Sequence, residues 1–388
     1  MHRERIFEVA LTCGALMMGW IAWSGDVLTI PLSVGFPIIW STARTRTAAA
    51  MVSAAYFLAA SRGLPLGVST FYGSELWPGI LLWFLASAMF VTVHSLLWTR
   101  RSGCIRAFHF LLAGVLMAVP PFGIFGWAHP LTAAGVLFPG WGWIGLATMT
   151  AALMLLTSRF RWQVAVILTG FWLWSAAHWT SARSPEDWYG VDLALGKSLG
   201  RNVALSHHVD LATKALEISS RGKKIVVFPE NALGLWTSMS AHIWRRRLAD
   251  SSVTVIAGAT LLHKVSYENV VLRLSEAGSH ILYRSRMPVP VSMWQPWTRW
   301  IGERRGAMAT FFGDPIVTVG ALRPAPLICY EQLLVWPMLQ SMLHNPDAII
   351  AIGNSWWATG TSIGDIQRSN VTAWASLFDK PVVFAFNT

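Results

Sequence analysis

The chain has few charged residues and few cysteines for its length. Of its 388 residues, 13% are charged, whereas 54% are hydrophobic and 23 are tryptophan. In a soluble domain about a quarter of the residues are charged, so the composition predicts a membrane protein. The three cysteines, Cys13, Cys104 and Cys329, are far apart in the sequence. Such spacing excludes a cysteine metal cluster and a disulfide framework, and we expect neither a metal nor another cofactor.

Acidic residues are scarcer than basic ones. The chain has 30 lysines and arginines but 19 aspartates and glutamates, which gives a net charge of +11. A basic protein can bind nucleic acid, but here the basic residues lie largely at the ends of apolar runs. The sequence also has no RNP, zinc-finger or recognition-helix pattern. We therefore expect no nucleic-acid partner.

Apolar runs separated by short loops make up the first half of the chain. Crossing a bilayer takes about 20 apolar residues. The second and third runs are shorter than this, so a tilted span, a re-entrant segment and a buried hairpin all stay open for them. We predict a transmembrane domain over residues 1–180 with about seven helices, at Phe7–Trp23, Val27–Ala43, Thr47–Ser61, Trp77–Trp98, Ala107–Phe125, Thr132–Thr157 and Trp162–Trp179.

Arginines alternate from loop to loop between these runs. Lysine and arginine are enriched in cytoplasmic loops, so the N-terminus is predicted to be cytoplasmic. Seven crossings then place the rest of the chain on the other side, which is the periplasm of a bacterial cell with this protein in its inner membrane. The arginines that set this orientation are Arg3, Arg5, Arg44, Arg46, Arg100, Arg101, Arg106, Arg159 and Arg161.

From about residue 181 the sequence alternates between strand-like and helix-like segments. Apolar runs end at polar residues, among them Glu230 after Ile225–Phe228 and Pro229, Cys329 after Leu327 and Ile328, and Asn354 after Ala348–Ile352. Strands alternating with helices form sheets flanked by helices, with the site at one edge. We predict an α/β domain over residues 181–388.

Cys329 is the candidate nucleophile of this domain. A lone buried cysteine is commonly only a small hydrophobic residue. An unpaired thiol on the oxidising side of a membrane, with no second cysteine in the same domain, instead favours a reactive role. Glu230 follows a buried strand, so partial desolvation would raise its pKa and suit it to accept the thiol proton; the alternative is an ordinary acid in a loop. Glu331 is either a second acid near the sulfur or a solvated helix cap.

Several motifs carry a family resemblance. They occur in order along the second half of the chain, and they are FPENALG around Glu230, PLICYEQLLVWP around Cys329, IGNSWWATGTSIGDIQ and the closing KPVVFAFNT. Together they resemble the nitrilase (carbon-nitrogen hydrolase) superfamily and, within it, apolipoprotein N-acyltransferase, which also has a membrane half. Among relatives with a membrane half, the chain is similar to conjugal transfer proteins of plasmids.

The resemblance implies an αββα sandwich and a Glu-Lys-Cys triad. Glu230 would be the general base and Cys329 the nucleophile, and Tyr330 and Glu331 match the family's Cys-Tyr-Glu. The thiolate would take an acyl group from a membrane phospholipid as a thioester and pass it to an amine of a lipoprotein or another envelope protein. Main-chain amides beside the cysteine would hold the oxyanion.

The lysine of the triad is not matched. The corresponding segment reads YRSRMPVP, with Ser285 at the lysine position and Arg284 and Arg286 beside it. Either guanidinium could supply positive charge to the oxyanion, although arginine does not replace lysine conservatively. The family's Gly-Glu is also missing, unless Glu303 serves from a longer loop. Three functions stay open, which are acyl transfer with a modified site, a catalytically degenerate envelope factor that assists transfer, and an amidase for small amides; we favour the first.

Substrate contacts are predicted from two segments. Asn354, Trp356 and Trp357 belong to the third motif, and Trp294 and Trp297 lie in the loop after the arginines. Aromatic side chains there suit a lid at the lipid interface, or simple packing against the membrane half. In the family, further strands and, in the acyltransferase, a final membrane span follow the Asn-Thr stretch, so we expect a domain that ends in Asn-Thr to lack them.

Overall fold

A computed structural model describes residues 2–198, 204–300 and 306–388. The chain divides into two compact units. The first comprises Met1–Ala182, Leu333–Trp336 and Gly360–Asp379, and the second comprises Arg183–Gln332, Pro337–Thr359 and Lys380–Thr388. The first unit thus takes in two segments, 333–336 and 360–379, that the sequence pattern places in the C-terminal domain.

The first unit is helical. The second apolar run forms a 3-10 helix and a short α-helix rather than one long helix, because Pro31 and Pro37 remove N–H donors from it. Its α-helices are α1 (His2–Ala22), α2 (Phe36–Thr42), α3 (Arg46–Ala60), α4 (Leu64–Tyr72), α5 (Leu76–Leu96), α6 (Cys104–Ala118), α7 (Ala134–Leu137), α8 (Gly142–Leu156), α9 (Arg161–Ala177) and α13 (Ile363–Phe378).

In the part of this unit that the structure describes, two helices are long and apolar enough to cross a membrane. They are Arg3–Ala22 and Leu76–Leu96, and a third span is added if α3 and α4, which meet at a 49° bend, are taken as one. The number of seven crossings therefore stays a prediction. The break between α3 and α4 comprises residues 61–63 and is followed by Pro65, which has no N–H to donate to the preceding turn.

A cluster of aromatic rings fills the centre of the first unit. Tyr56 stacks on Phe36 with ring centroids 4.6 Å apart, and its hydroxyl accepts a hydrogen bond from the indole of Trp23 at 2.9 Å. A Cβ at Gly19 would lie 2.2 Å from the carbonyl oxygen of Tyr56. Glycine at this position therefore lets α1 and α3 approach closely, as small residues do between membrane helices.

The described residues of the second unit form two β-sheets. One has the order β1-β2-β3-β4-β5, in which β1, β2 and β3 are parallel and β4 and β5 are antiparallel additions. The other has three parallel strands in the order β6-β7-β8. The elements are β1 (Trp188–Gly190), α10 (Leu205–Ser220), β2 (Ile225–Val227), α11 (Ser238–Arg247), β3 (Thr254–Leu262), β4 (Tyr267–Ser275), β5 (Gly278–Arg284), β6 (Ala325–Ile328), α12 (Val335–Met342), β7 (Ile349–Asn354) and β8 (Val382–Asn387).

The described residues of this unit form two hydrophobic cores. One core lies between α10, α11 and the first sheet, and includes Leu211, Trp244 and Val255. The other lies between the two sheets, and includes Ile256 of the first and Ile350 of the second. Strands that are covered on both faces have continuous apolar sequences. For this reason β2, β6, β7 and β8 can be predicted from the sequence. The carboxyl ends of the parallel strands collect Glu230, Cys329 and Asn354.

Candidate active site

Cys329 occupies a sharp turn at the end of β6. All four residues of β6 are buried, and the strand pairs in parallel with β7. A 3-10 helix, Cys329–Leu333, begins at once, and Cys329 itself has a φ of 48°. A left-handed conformation costs a non-glycine residue about 1–3 kcal/mol and is found where the surrounding structure holds it, often at functional sites. The turn fixes the position of a thiol that is almost entirely buried.

Glu230 is placed by the end of β2. Pro229 ends the strand and Asn231 turns with a φ of 57°, so the glutamate stands just beyond the sheet. The backbone of β3 passes very close at Gly258, where a Cβ would lie 2.6 Å from the Cα of Glu230. Glycine is needed at that position because any side chain would push the glutamate away.

Glu230 and Cys329 meet in a hydrogen bond. The Cys329 thiol and the main-chain N–H of Asn354 both donate to the Glu230 carboxyl, and the amide of Asn269 donates to its Oε1 at 3.2 Å. Burial raises the pKa of Glu230 to about 7, with the hydrogen bonds opposing and the nearby Glu331 adding to the rise. A carboxylate with a pKa near neutrality, in contact with a thiol, is suited to take the thiol proton.

Glu331 is buried, close to the nucleophile in the sequence, and accepts hydrogen bonds from several surrounding segments. It is 0% exposed, so, of the two alternatives for Glu331, the solvated helix cap is wrong. Five donors from β5, the segment after it and β6 saturate the carboxylate, which ties the turn at Cys329 to the first sheet. The donors are the Tyr283 hydroxyl at 2.8 Å, the Ser285 hydroxyl at 3.0 Å and the main-chain N–H groups of Arg286, Met287 and Ile328 at 2.5, 3.1 and 3.0 Å.

Arg284 and Arg286 both bind groups other than the thiol. Arg284 forms an ion pair with Glu268. Arg286 is fully buried, and a buried guanidinium must satisfy its donors within the protein. Its partners are the Tyr283 hydroxyl at 2.6 Å, Gln340 Oε1 at 2.9 Å, the Ser341 hydroxyl at 3.0 Å and the Pro337 carbonyl at 3.2 Å. These contacts disagree with the expectation that either guanidinium serves the oxyanion.

Ser285, at the expected lysine position, faces Glu331. The charge next to Glu230 is therefore the second carboxylate, which raises the pKa of Glu230, where the triad would have an ammonium group. Glu303 lies outside the described residues. Within the described ranges, no three histidine, cysteine or acidic side chains gather as metal ligands.

Asn269 is a site residue that sequence reasoning did not identify. It lies on β4, is buried, and holds Glu230 through its amide nitrogen. Its amide oxygen is also buried and has no hydrogen-bond partner among the described residues. The available signal was the asparagine that directly precedes the apolar residues Val270, Val271 and Leu272 of β4, because a buried polar side chain requires a partner.

The predicted substrate residues are only partly brought to the site. Asn354 reaches Glu230 through its main chain, while its side chain accepts from Asn387 at 2.8 Å. Trp356 and Trp357 follow β7 in a 3-10 helix and are half-buried.

The loop tryptophans Trp294 and Trp297 lie between β5 and β6. The Trp294 ring packs edge-on against Phe311 at 5.1 Å, whereas Trp297 is exposed. Their described contacts do not connect them to the thiol. A role in substrate binding therefore stays a prediction for them, and likewise for Trp356 and Trp357.

The fold and the paired acid and thiol define a nitrilase-like hydrolase scaffold. A model of the carbon-nitrogen hydrolase family matches residues 58–376, so the chain belongs to the carbon-nitrogen hydrolase family. This confirms the family resemblance and the fold class, a membrane-type helical domain followed by an α/β nitrilase-like domain. Solved structures of an amidase from Nesterenkonia are also similar, at 13% identity and a TM-score of 0.36 over 52% of this chain and 74% of that one.

Two conjugal transfer proteins are similar over the whole chain. The probable conjugal transfer protein TraB of Sinorhizobium fredii is 56% identical over 388 residues, which is all of both chains. The conjugal transfer protein TraB of Agrobacterium fabrum is 50% identical over 396 aligned residues, covering 100% of this chain and 94% of the relative. The expected similarity to conjugal transfer proteins is confirmed.

Proposed function

We propose that this protein is an inner-membrane acyltransferase that acts in conjugal transfer through a thioester on Cys329. The observation that supports the proposal most strongly is the hydrogen bond between the buried Cys329 thiol and Glu230, a carboxyl group whose pKa of about 7 makes it a base near neutral pH.

In the first step, Glu230 takes the thiol proton as Cys329 Sγ attacks the carbonyl carbon of a phospholipid acyl ester. The carbon–sulfur bond forms, the carbon–oxygen bond to the lipid breaks, and the proton passes from Glu230 to the departing alkoxide. Main-chain N–H groups beside Cys329 stabilise the oxyanion of the tetrahedral intermediate, which forms before the carbon–oxygen bond breaks.

In the second step, an amine of a lipoprotein or another envelope protein attacks the thioester. The carbon–nitrogen bond forms and the carbon–sulfur bond breaks. Glu230 accepts the amine proton and returns it to the sulfur, so the site is restored.

No lysine is among the described contacts of Glu230, so the negative charge of the activated thiolate has to be balanced in another way. When the thiol gives its proton to Glu230, negative charge moves from the carboxylate to the sulfur and the total stays the same. Glu331 remains nearby as a carboxylate saturated by its five donors. The nucleophile can therefore be activated without a cation, whereas the oxyanion depends on main-chain N–H groups.

The membrane setting supports a lipid as acyl donor. The first unit has helices long and apolar enough to cross a bilayer. The arginine pattern, together with the predicted seven crossings, would put the N-terminus in the cytoplasm and the α/β domain in the periplasm. A reporter fused after Trp179 should then be active as a periplasmic fusion. Activity of that fusion only in the cytoplasm would reverse the orientation.

The competing proposal is an envelope factor that keeps the fold without turnover, and the serine at the lysine position favours it. Purified full-length protein incubated with radiolabelled phospholipid and an amine acceptor peptide separates the two. We expect transfer of the label, its loss in Cys329→Ala, and unchanged transfer in the matched control Cys104→Ala.

Conjugation frequency adds a second readout. An enzyme requires that Cys329→Ala lower the frequency, whereas an undiminished frequency together with no transferred label would establish the envelope factor. Hydrolysis of small amides without lipid would instead establish an amidase.

A further inference from the structure

Asn269 faces the layer in which the nucleophile lies. Successive side chains of a strand point to opposite faces of its sheet. On β4, Val270 belongs to the core between the first sheet and its helices, whereas Val271 belongs to the core between the two sheets, which also contains Cys329. Asn269 is two positions from Val271 and is 3% exposed, so its amide points to the buried side on which Cys329 lies.

Within the described ranges, the amide of Asn269 makes one hydrogen bond. Its Nδ2 donates to Glu230 Oε1 at 3.2 Å, whereas its Oδ1 is buried and finds no partner in the same part of the chain. A buried amide that is only half satisfied destabilises a fold, and an apolar side chain of similar size would be less costly there. Stability therefore does not explain this asparagine, and its one contact points to Glu230.

Thr260 and Asn269 hold the turn that contains Glu230. The two residues lie directly opposite each other on β3 and β4, so their side chains are on the same face of the sheet. The Thr260 hydroxyl donates to Asn231 Oδ1 at 2.8 Å, and Asn269 binds Glu230, the residue before it. One cross-strand pair thus binds two consecutive residues of the turn.

The hydrogen bond from Asn269 restricts a flexible side chain. A general base must lie within hydrogen-bond reach of the proton that it takes, and a glutamate can rotate about several bonds. Binding of Oε1 by Asn269 holds the carboxyl where it also accepts from the Cys329 thiol and the N–H of Asn354. Among the described residues, the titratable groups that face Glu230 are Cys329 and Glu331. Asn269 itself does not titrate, so its donor is present at every pH.

We propose that Asn269 is a positioning residue, which holds the Glu230 carboxylate against the Cys329 thiol and stabilises the ionised state that accepts the thiol proton. A carboxylate has no hydrogen to donate, so the contact requires the NH₂ end of the amide. The inference deepens the proposed function: it rests on Glu230 as the base for Cys329 and does not depend on the acyl donor or acceptor.

Asn269→Leu tests this role because it removes the donor and keeps a side chain of similar size in the strand. The readout is the alkylation rate of Cys329 by iodoacetamide in the full-length protein over a range of pH, with the exposed Cys104 as internal reference. Loss of a hydrogen bond to the ionised form raises the pKa of a carboxyl. The midpoint of the rate against pH should therefore move up by about one unit, and the rate at about pH 6 should fall roughly tenfold.

A double variant shows whether the effect passes through Glu230. In a Glu230→Gln background, Asn269→Leu should leave the alkylation rate of Cys329 unchanged to within about twofold, because substitutions that act through one residue are not additive. Asn269→Ala removes the same donor with a smaller side chain and should move the midpoint in the same direction. Leu274→Ala, at a buried position further along β4, is the matched control; it leaves a cavity in the core and should not move the midpoint.

A midpoint that equals the parent's in both Asn269 variants would overturn the inference, and so would an equal loss of rate from Asn269→Leu with and without Glu230. Alkylation requires no lipid, so the two proposals fail separately. A shifted midpoint in protein that transfers no label from phospholipid would support the role of Asn269 and count against acyl transfer.

Discussion

The reactivity of Cys329 should depend on pH through Glu230. If Glu230 is the base that activates the thiol, the alkylation rate of Cys329 follows the ionised fraction of that carboxyl. Burial raises the pKa of Glu230 to about 7, so the rate should rise between about pH 6 and pH 8 and then level off. Without the carboxylate the thiol loses the group that accepts its proton, so its alkylation should be slower.

The structure sets the magnitude. At pH 5, two units below a pKa of about 7, roughly 1% of Glu230 is ionised, so we expect an alkylation rate about 100-fold below the plateau. Glu230→Gln keeps the shape of the side chain but removes the base. At pH 7 it should slow alkylation about 100-fold, the lower end of what a positioned general base contributes.

The assay is alkylation of the full-length protein by iodoacetamide over a range of pH, quantified at each cysteine by peptide mass spectrometry. Cys104 is exposed and serves as an internal reference whose rate should be equal in both proteins at every pH. A rate at Cys329 that is identical in the parent and in Glu230→Gln would refute the role of Glu230 as the base.

Three further changes test the packing around the thiol. The folded-state pKa of Glu230 is raised from 4.5 to about 7, so its contribution to stability is present below about pH 4.5 and is lost as the pH rises through 7. Relative to the parent, the free energy of unfolding of Glu230→Gln, measured by calorimetry, should therefore increase by about 3 kcal/mol between pH 4.5 and pH 8. A difference between the two proteins that stays constant with pH would contradict this. Glu331→Gln should lower the free energy of unfolding by about 3 kcal/mol, because an amide cannot accept from all five donors; denaturant titration would show it, and an unchanged midpoint would count against the buried network. Gly258→Ala forces a Cβ to 2.6 Å from the Cα of Glu230 and should cost about 1–3 kcal/mol together with most of the activity, whereas Gly170→Ala, in open space on α9, should change neither.

The strands and their polar ends could be predicted because each strand is a short apolar run that ends at a polar residue. Ile225–Phe228 and Ala348–Ile352 are apolar runs that stop at Glu230 and at Asn354, and parallel strands bring such ends to one edge. The pairing of Glu230 with Cys329, which are about a hundred positions apart, followed from that rule and from the family resemblance.

Other features depend on contacts that no local pattern contains. Glu331 receives donors from residues 283–287, and the sequence around it is equally compatible with an exposed cap. Arg286 looked available because its partners, Gln340 and Ser341, come from a helix more than 50 positions away. The place of the helix Ile363–Phe378 in the first unit depends on tertiary packing, such as the close approach of Gly135 to the Ala373 backbone.

The most direct test of the proposed reaction is the mass of the peptide that contains Cys329 after the full-length protein has been incubated with phospholipid. We predict an added acyl chain on that cysteine which hydroxylamine removes, as expected for a thioester, and which is absent in Cys329→Ala. Two results together would contradict acyl transfer: a Cys329 that stays unmodified after the incubation, and conjugal transfer that is undiminished in Cys329→Ala.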